Sequence, residues 1–251
     1  MSSILITGAS KGIGRATAVE LARRGHRVIA TARDPRALDG LDVDQRLRLD
    51  VTDQVSVDAA VAKAGEIDVL VSNAVVIFRA AVEASPAAEI ERLYALNTVG
   101  AVRVTQAVLP QMRERKKGRL VFVSSVGGRT VFPGNAAYAA TKWALEAFAE
   151  ALAMELADFG IDVSLAEPGP VSSGALDDPA AYRLPDDPYA FLFARGGSPA
   201  ATMISPEEVA AALADLAERP AVPLRVPVGA TAEKVLAARD AAPYDRPFVR
   251  A

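Results

Sequence analysis

The chain has 251 residues, 51% hydrophobic and 24% charged, with a formal net charge of −3. That composition suits one large globular domain with a substantial core, and it lacks the basic excess of a protein built to grip nucleic acid. With no cysteine and a single histidine, disulfides, thiolate metal sites, iron–sulfur clusters, cysteine nucleophiles and multi-histidine metal centres are excluded.

The pattern predicts a strand at Ser3–Thr7 and a helix at Gly12–Arg24 closed by Gly25, then strands at Arg27–Ala32 and Arg46–Val51. A helix at Asp53–Ala64 and a strand at Ile67–Ser72 follow, then helices at Pro86–Ala95 and Asn97–Lys116 and a strand at Arg119–Ser124. A long helix is expected over Ala137–Phe159, a strand over Ile161–Ala166, a helix over Pro206–Ala217 capped by Ser205, and a last strand at Arg225–Gly229. His26 reads as a surface turn residue, and the basic run Arg113–Lys117 as a solvated helix end. Ile4–Ile6 is too short for a signal peptide, and nothing approaches the ~18 apolar residues of a membrane span. A soluble, cytoplasmic protein with no nucleic-acid or membrane partner is expected.

The strands are near-continuous apolar runs, as a parallel sheet covered on both faces requires. Strands and helices alternate throughout, so the expected fold is α/β: one doubly wound, Rossmann-like domain over residues 1–251. The first strand runs into Thr7-Gly8-Ala9-Ser10-Lys11-Gly12-Ile13-Gly14 and then a helix. Glycines there allow a sharp turn and close approach of a pyrophosphate, and the helix start offers free N–H groups. This placement points to dinucleotide binding.

Tyr138 and Lys142, four apart on a helix, share a face, and Ser125 lies thirteen residues upstream at a strand's carboxyl end. Taken alone, the pair also fits a buried tyrosine beside a snorkelling lysine. The Gly-x-x-x-Gly-x-Gly spacing after Thr7, the Tyr-x-x-x-Lys pair, Ser125, Asn97 and Pro168-Gly169-Pro170-Val171 together resemble the short-chain dehydrogenase/reductase family over about residues 3–230.

That resemblance implies hydride transfer between NADP(H) and a carbonyl or secondary alcohol, with Asn97, Ser125, Tyr138 and Lys142 as catalytic residues. Tyr138 would donate the proton, Lys142 would supply positive charge that favours the phenolate and hold the nicotinamide ribose, and Ser125 would bind the carbonyl oxygen. Asn97 would anchor a proton-relaying water. The implied cofactor contacts are Gly8, Ser10, Lys11, Gly12, Ile13, Gly14, Arg33, Asp50, Val51, Asn73, Tyr138, Lys142, Pro168, Val171 and Ser173, with no metal. Asp50 also reads as an acid on the N-cap side of the next helix. Glu167 is expected to be a strand-end acid with backbone partners.

An acid at the end of the second strand would select NAD; here Ala32 stands in that position and Arg33 follows, with Lys11 as a second cation. NADP(H) is therefore the expected cofactor. Val75 stands where the family has glycine, which requires either an altered backbone or no need for positive φ. Residues 171–205 are expected to cover an apolar substrate, with Tyr182, Tyr189, Phe191, Phe193, Leu192 and Met203 as candidate lining. The segments Phe78–Glu83 and Thr31–Asp34 resemble the family's steroid- and retinol-type branch. The resemblance also implies a homo-oligomer, dimer or tetramer, paired through the helices Asn97–Lys116 and Ala137–Phe159.

Two alternatives stay open at this point. One is an epimerase or dehydratase on the same scaffold, against which the glycine spacing and short carboxyl-terminal region count. The other is a cofactor-binding regulator or scaffold without turnover.

Overall fold

The structure is a computed structural model that describes residues 1–173, 180–194 and 203–248. In chain order the elements are β1 (Ser3–Ile6), α1 (Gly12–Arg23), β2 (Arg27–Ala32), β3 (Gln45–Arg48), α2 (Gln54–Ala64), β4 (Val69–Ser72), β5 (Phe78–Arg79) and α3 (Ala87–Tyr94). They continue with α4 (Gly100–Arg115), β6 (Gly118–Val123), α5 (Ala136–Leu156), β7 (Ile161–Pro168), β8 (Ala180–Ala181), α6 (Ala190–Ala194), α7 (Pro206–Glu218), β9 (Arg225–Val228) and α8 (Ala230–Asp240).

Seven strands form one parallel sheet in the order β3-β2-β1-β4-β6-β7-β9. The central strands alternate between two apolar layers, which is why most of their residues are hydrophobic, whereas the edge strand β3 buries only Leu47. Leu5, Ile29, Leu70, Phe122 and Leu165 pack under α2, α4 and α5. Ile4, Ile6, Val28, Val71, Val121 and Ala166 pack under α1 and α7. The fold is the expected doubly wound α/β sheet, and its direction reverses between β1 and β4. At such a switch point the two strand ends diverge and leave a crevice at their carboxyl edge.

Local chemistry sets the helix starts. Ser205 accepts from the Glu208 N–H while Glu208 reaches back to the Ser205 N–H, a closed capping box with Pro206 at the first helical position. Asp53 caps α2 by accepting from the Val55 N–H. His26 closes the turn at Arg24–Gly25 but is not a surface side chain: it is only 8% exposed, and its ring bonds the Ser2 N–H and the Glu218 carboxylate. In the basic run, Arg115 is not merely solvated, because it donates to the Ile67 carbonyl.

Three features were not expected from the sequence. Ala95–Val99 forms a π turn between α3 and α4; α8 follows β9 directly; and β5 pairs with β8 in a separate two-stranded parallel sheet.

Candidate active site

The expected site residues lie at or near the carboxyl edge of the sheet, on loops and helix starts, with Pro168 ending β7, Asn97 in the π turn and Lys142 inside α5. The glycine turn leaves β1, and Gly8 there has φ +69, a conformation that costs an L residue dearly. A Cβ on Gly14 would sit 2.4 Å from the Gly8 carbonyl oxygen and 2.5 Å from Asn73 Nδ2, so only glycine lets α1 approach the turn. Lys11, the N-cap of α1, gives no side-chain cap to the helix. The first N–H groups of α1 therefore keep their capacity to hold an anion, a fit for a dinucleotide pyrophosphate.

Thr7 and Asn73 tie the two sides of the crevice together. Thr7 Oγ1 accepts from the backbone N–H groups of Asn73 and Ala74, and Asn73 Nδ2 donates to the Thr7 and Gly8 carbonyls. Val75 is not among the residues with positive φ, so the position needs no glycine for its dihedral. Ser173, after β7, lies against Gly12. Val171 is buried and bridges to Ile204.

Asp50 is not a helix cap. Its carboxylate accepts from the Thr52 N–H and hydroxyl, and Asp53 takes the cap instead. Partial burial opposes its charge, yet the Thr52 bonds, with Arg33 and Arg48, hold it below the usual carboxylate range. Arg33 itself is exposed just past β2. Asp34 is turned into a bidentate pair with Arg36, so its charge is already met within the protein.

Across the crevice, Ser125 follows β6 as the N-cap of a 3-10 turn, its oxygen accepting from the Gly127 N–H. Tyr138 and Ser125 meet around Gly127: a Cβ there would lie 3.4 Å from Ser125 Oγ and 3.4 Å from Tyr138 Cε1. Burial pushes the phenol up to about 12, with Ser125 acting the other way. Lys142, one turn along α5, is buried and donates to the Val123 carbonyl at 2.7 Å. Its ammonium lies 5.9 Å from the Tyr138 ring centre. Burial draws Lys142 down to about 8, with Glu146 acting in the opposite sense. In the structure the Lys142 ammonium donates to the backbone, and burial is the larger influence on the phenol.

Asn97 lies in the π turn and is buried. Its side chain is spent on protein partners: Oδ1 accepts from the Val76 N–H, and Nδ2 donates to the Val76 carbonyl and to Thr141 Oγ1. That amide has its hands full as a brace between the π turn, the loop after β4 and α5. Thr141, which the sequence reading passed over, is the third point of this brace, and Thr98 also bonds its carbonyl. Glu167 has none of the expected backbone partners: its carboxylate is fully buried and neither oxygen has a hydrogen bond.

The covering segment is described in part. Tyr182 meets Phe78 edge to face at 5.4 Å, and the Tyr189 hydroxyl donates to Glu83. Phe78 in turn packs in one cluster with Tyr138. The side chain of Phe193, and residues 174–179 and 195–202 of this segment, lie outside the described residues.

Fold and site define the class: a nucleotide-binding α/β oxidoreductase with a serine, tyrosine and lysine at the switch-point crevice. The chain belongs to the short-chain dehydrogenase family, whose model matches residues 2–181. A 3-ketodihydrosphingosine reductase of Bacteroides thetaiotaomicron is 34% identical over 236 residues, 90% of this chain and 87% of that protein. A short-chain dehydrogenase structure from Streptomyces avermitilis is 38% identical, with a TM-score of 0.82, covering 93% of this chain and 90% of that one. An alcohol dehydrogenase structure from Thermococcus sibiricus, complexed with 5-hydroxy-NADP, is 25% identical with a TM-score of 0.74, covering 90% and 94% of the two chains.

Proposed function

We propose that the protein is an NADP(H)-dependent reductase of apolar ketones or aldehydes. The observation that carries this reading is the convergence of Ser125 Oγ and the buried Tyr138 ring around Gly127, with the buried Lys142 one helical turn away. The bound cofactor supplies the hydride. The chain's own residues must position the carbonyl, stabilise charge on its oxygen and deliver a proton. Ser125 and Tyr138 present hydroxyls side by side, which suits an oxygen gaining negative charge. A phenol held near 12 keeps its proton at neutral pH, and the protonated form is the one that reduction uses. Lys142, an ammonium below about pH 8, places positive charge beside the site. A proton-relaying water cannot rely on the occupied Asn97 amide. It falls instead to the main chain of the π turn, where the i,i+4 ladder is broken.

Gly8, Ser10, Gly12, Ile13 and Gly14 would hold the pyrophosphate, and Asp50, Val51 and Asn73 the adenosine side. Pro168, Val171 and Ser173 would line the nicotinamide side. The cation Arg33, just past a strand end where Asp34 is claimed by Arg36, supports NADP(H), with Lys11 as the second cation. The 5-hydroxy-NADP of the Thermococcus relative supports the same choice. The Bacteroides relative, named for a long-chain ketone, and the aromatic pair Phe78–Tyr182 beside Tyr138 support an apolar substrate. We further infer a homo-oligomer paired through α4 and α5, in the cytoplasm.

Tyr138→Phe tests the reading: it keeps the ring and removes the proton, so turnover should fall at least ~10²-fold. Cofactor affinity should stay within a few-fold of wild type. Near-normal turnover in this variant would contradict it.

A further inference from the structure

Behind the lysine lies a buried acidic pair that the reaction does not account for. The register Val123↔Ala166 places the following residues, Ser124 and Glu167, side by side on the sheet face covered by α5. Arg225, in register with Leu165, lies on that same face from β9. Glu146 comes down from α5 four residues after Lys142, so the two share one side of the helix. A Cβ on Gly128 would lie 2.7 Å from Ser124 Oγ and 3.0 Å from Glu146 Oε1, so these two oxygens flank one backbone atom.

Two cations close the pair. Arg225 donates to Glu146 at 2.8 Å and to Glu150 at 2.6 Å. Arg129, just past the turn that carries Ser125, stands 3.7 Å from Glu167 and pairs with Asp240 of α8. Glu146 Oε1, both Glu167 oxygens and Ser124 Oγ are buried without hydrogen-bond partners. Two ionised carboxylates with so few donors are too costly in an interior; one of them must keep a proton. Arg225 donates directly to Glu146, whereas Arg129 stands farther from Glu167. Burial, then the Glu146 charge, pushes Glu167 up to about 7 against Arg129 and Arg225, with Asp240 adding to the rise.

We propose that Glu146 is a positioning residue for Lys142: from one turn along α5, backed by Glu167, it holds the buried lysine as an ammonium. The inference rests on Lys142 serving the reaction as proposed above, but its direct test needs no turnover. Burial works to strip the proton from Lys142, and Glu146 is the charge that acts to keep it there. Replacing Glu146 removes that charge and lets desolvation take the proton at lower pH.

The test is a ¹³C NMR titration of the full chain labelled at lysine Cε. The other five lysines, Lys11, Lys63, Lys116, Lys117 and Lys234, are exposed, so Lys142 is the resonance whose midpoint lies well below the rest. In Glu146→Gln that midpoint should fall by about one pH unit or more, the size of effect an adjacent opposite charge exerts. Glu146→Asp, which keeps the charge, should restore most of it. Should Glu146→Gln fail to fold, Glu146→Met, which removes the charge and keeps an unbranched side chain of similar length, should lower the midpoint in the same way. A Lys142 midpoint unmoved in every folded neutral variant overturns the proposal. In turnover assays the same variants should move the alkaline limb of kcat to lower pH with KM for the cofactor little changed. An inactive wild type would instead contradict the proposed function and leave the NMR result standing.

Discussion

At the residue scale, two buried groups decide how the protein responds to pH. Lys142, drawn down to about 8 by burial, is an ammonium below that value and neutral above it. Carbonyl reduction that uses the ammonium should therefore lose kcat as pH rises through about 8, read from initial rates between pH 6 and 10 at saturating cofactor. A flat profile across that range would contradict the role of Lys142. Glu167 acts on stability with the opposite sign from most carboxylates. Its folded value near 7 lies above the unfolded one, so between about pH 4.5 and 7 the unfolded chain releases the proton first. Stability falls as pH rises through that window, by up to about 3 kcal/mol for a group this buried. Glu167→Gln should flatten that fall, measured by urea unfolding at pH 5 and pH 7.5.

At the scale of elements, the glycine turn is where sequence and geometry agree most closely. The spacing Gly8-x-x-x-Gly12-x-Gly14 was legible because close packing leaves no other residue possible. Gly14→Ala must displace the Gly8 carbonyl or Asn73, at a cost of roughly 1–3 kcal/mol. It should weaken NADPH binding at least tenfold by fluorescence titration, whereas Val75→Gly, at a position without positive φ, should change binding little. The strands and long helices were legible for the same kind of reason: apolar runs of fixed period have one way to be buried. Their ends moved by a few residues; β3 ends at Arg48 rather than Val51 because Asp50 turns the chain through Thr52. Other features left no pattern to read. The two-residue strands β5 and β8 are too short for a period, α8 is alanine-rich with mixed charge and no apolar stripe, and the π turn is fixed by tertiary bonds from Asn97 and Thr98 to α5. The Glu146–Glu167 pair was hidden because its members are 21 residues apart and meet only across a helix and a strand.

At the scale of the whole molecule, the outer face of α5 carries an argument about assembly. Ala149, on the inner side of that helix, is fully buried. Trp143, Phe148 and Met154 are 41%, 47% and 72% exposed, with Trp143 and Met154 on one flank and Phe148 on the other, apolar side chains that a second copy would cover. Sedimentation at micromolar concentration should show a species of at least twice 26.3 kDa, and Phe148→Glu should shift it toward the monomer. A monomer in the wild type would reject the proposed pairing. No described helix is long and apolar enough to cross a membrane.

The central claim is that this crevice reduces apolar carbonyls with NADPH. Its most direct test is the loss of 340 nm absorbance when the wild-type protein meets NADPH or NADH and a panel of apolar ketones and aldehydes. The account predicts consumption matched mole for mole by alcohol, with kcat/KM at least ~10²-fold higher for NADPH, since two charge-assisted contacts at roughly 1.5–3 kcal/mol each favour the 2′-phosphate. The Arg33→Ala/Lys11→Ala double variant should lose most of that preference while keeping its rate with NADH. NADPH that binds but is consumed with no member of the panel, or an equal or faster rate with NADH, would contradict the account.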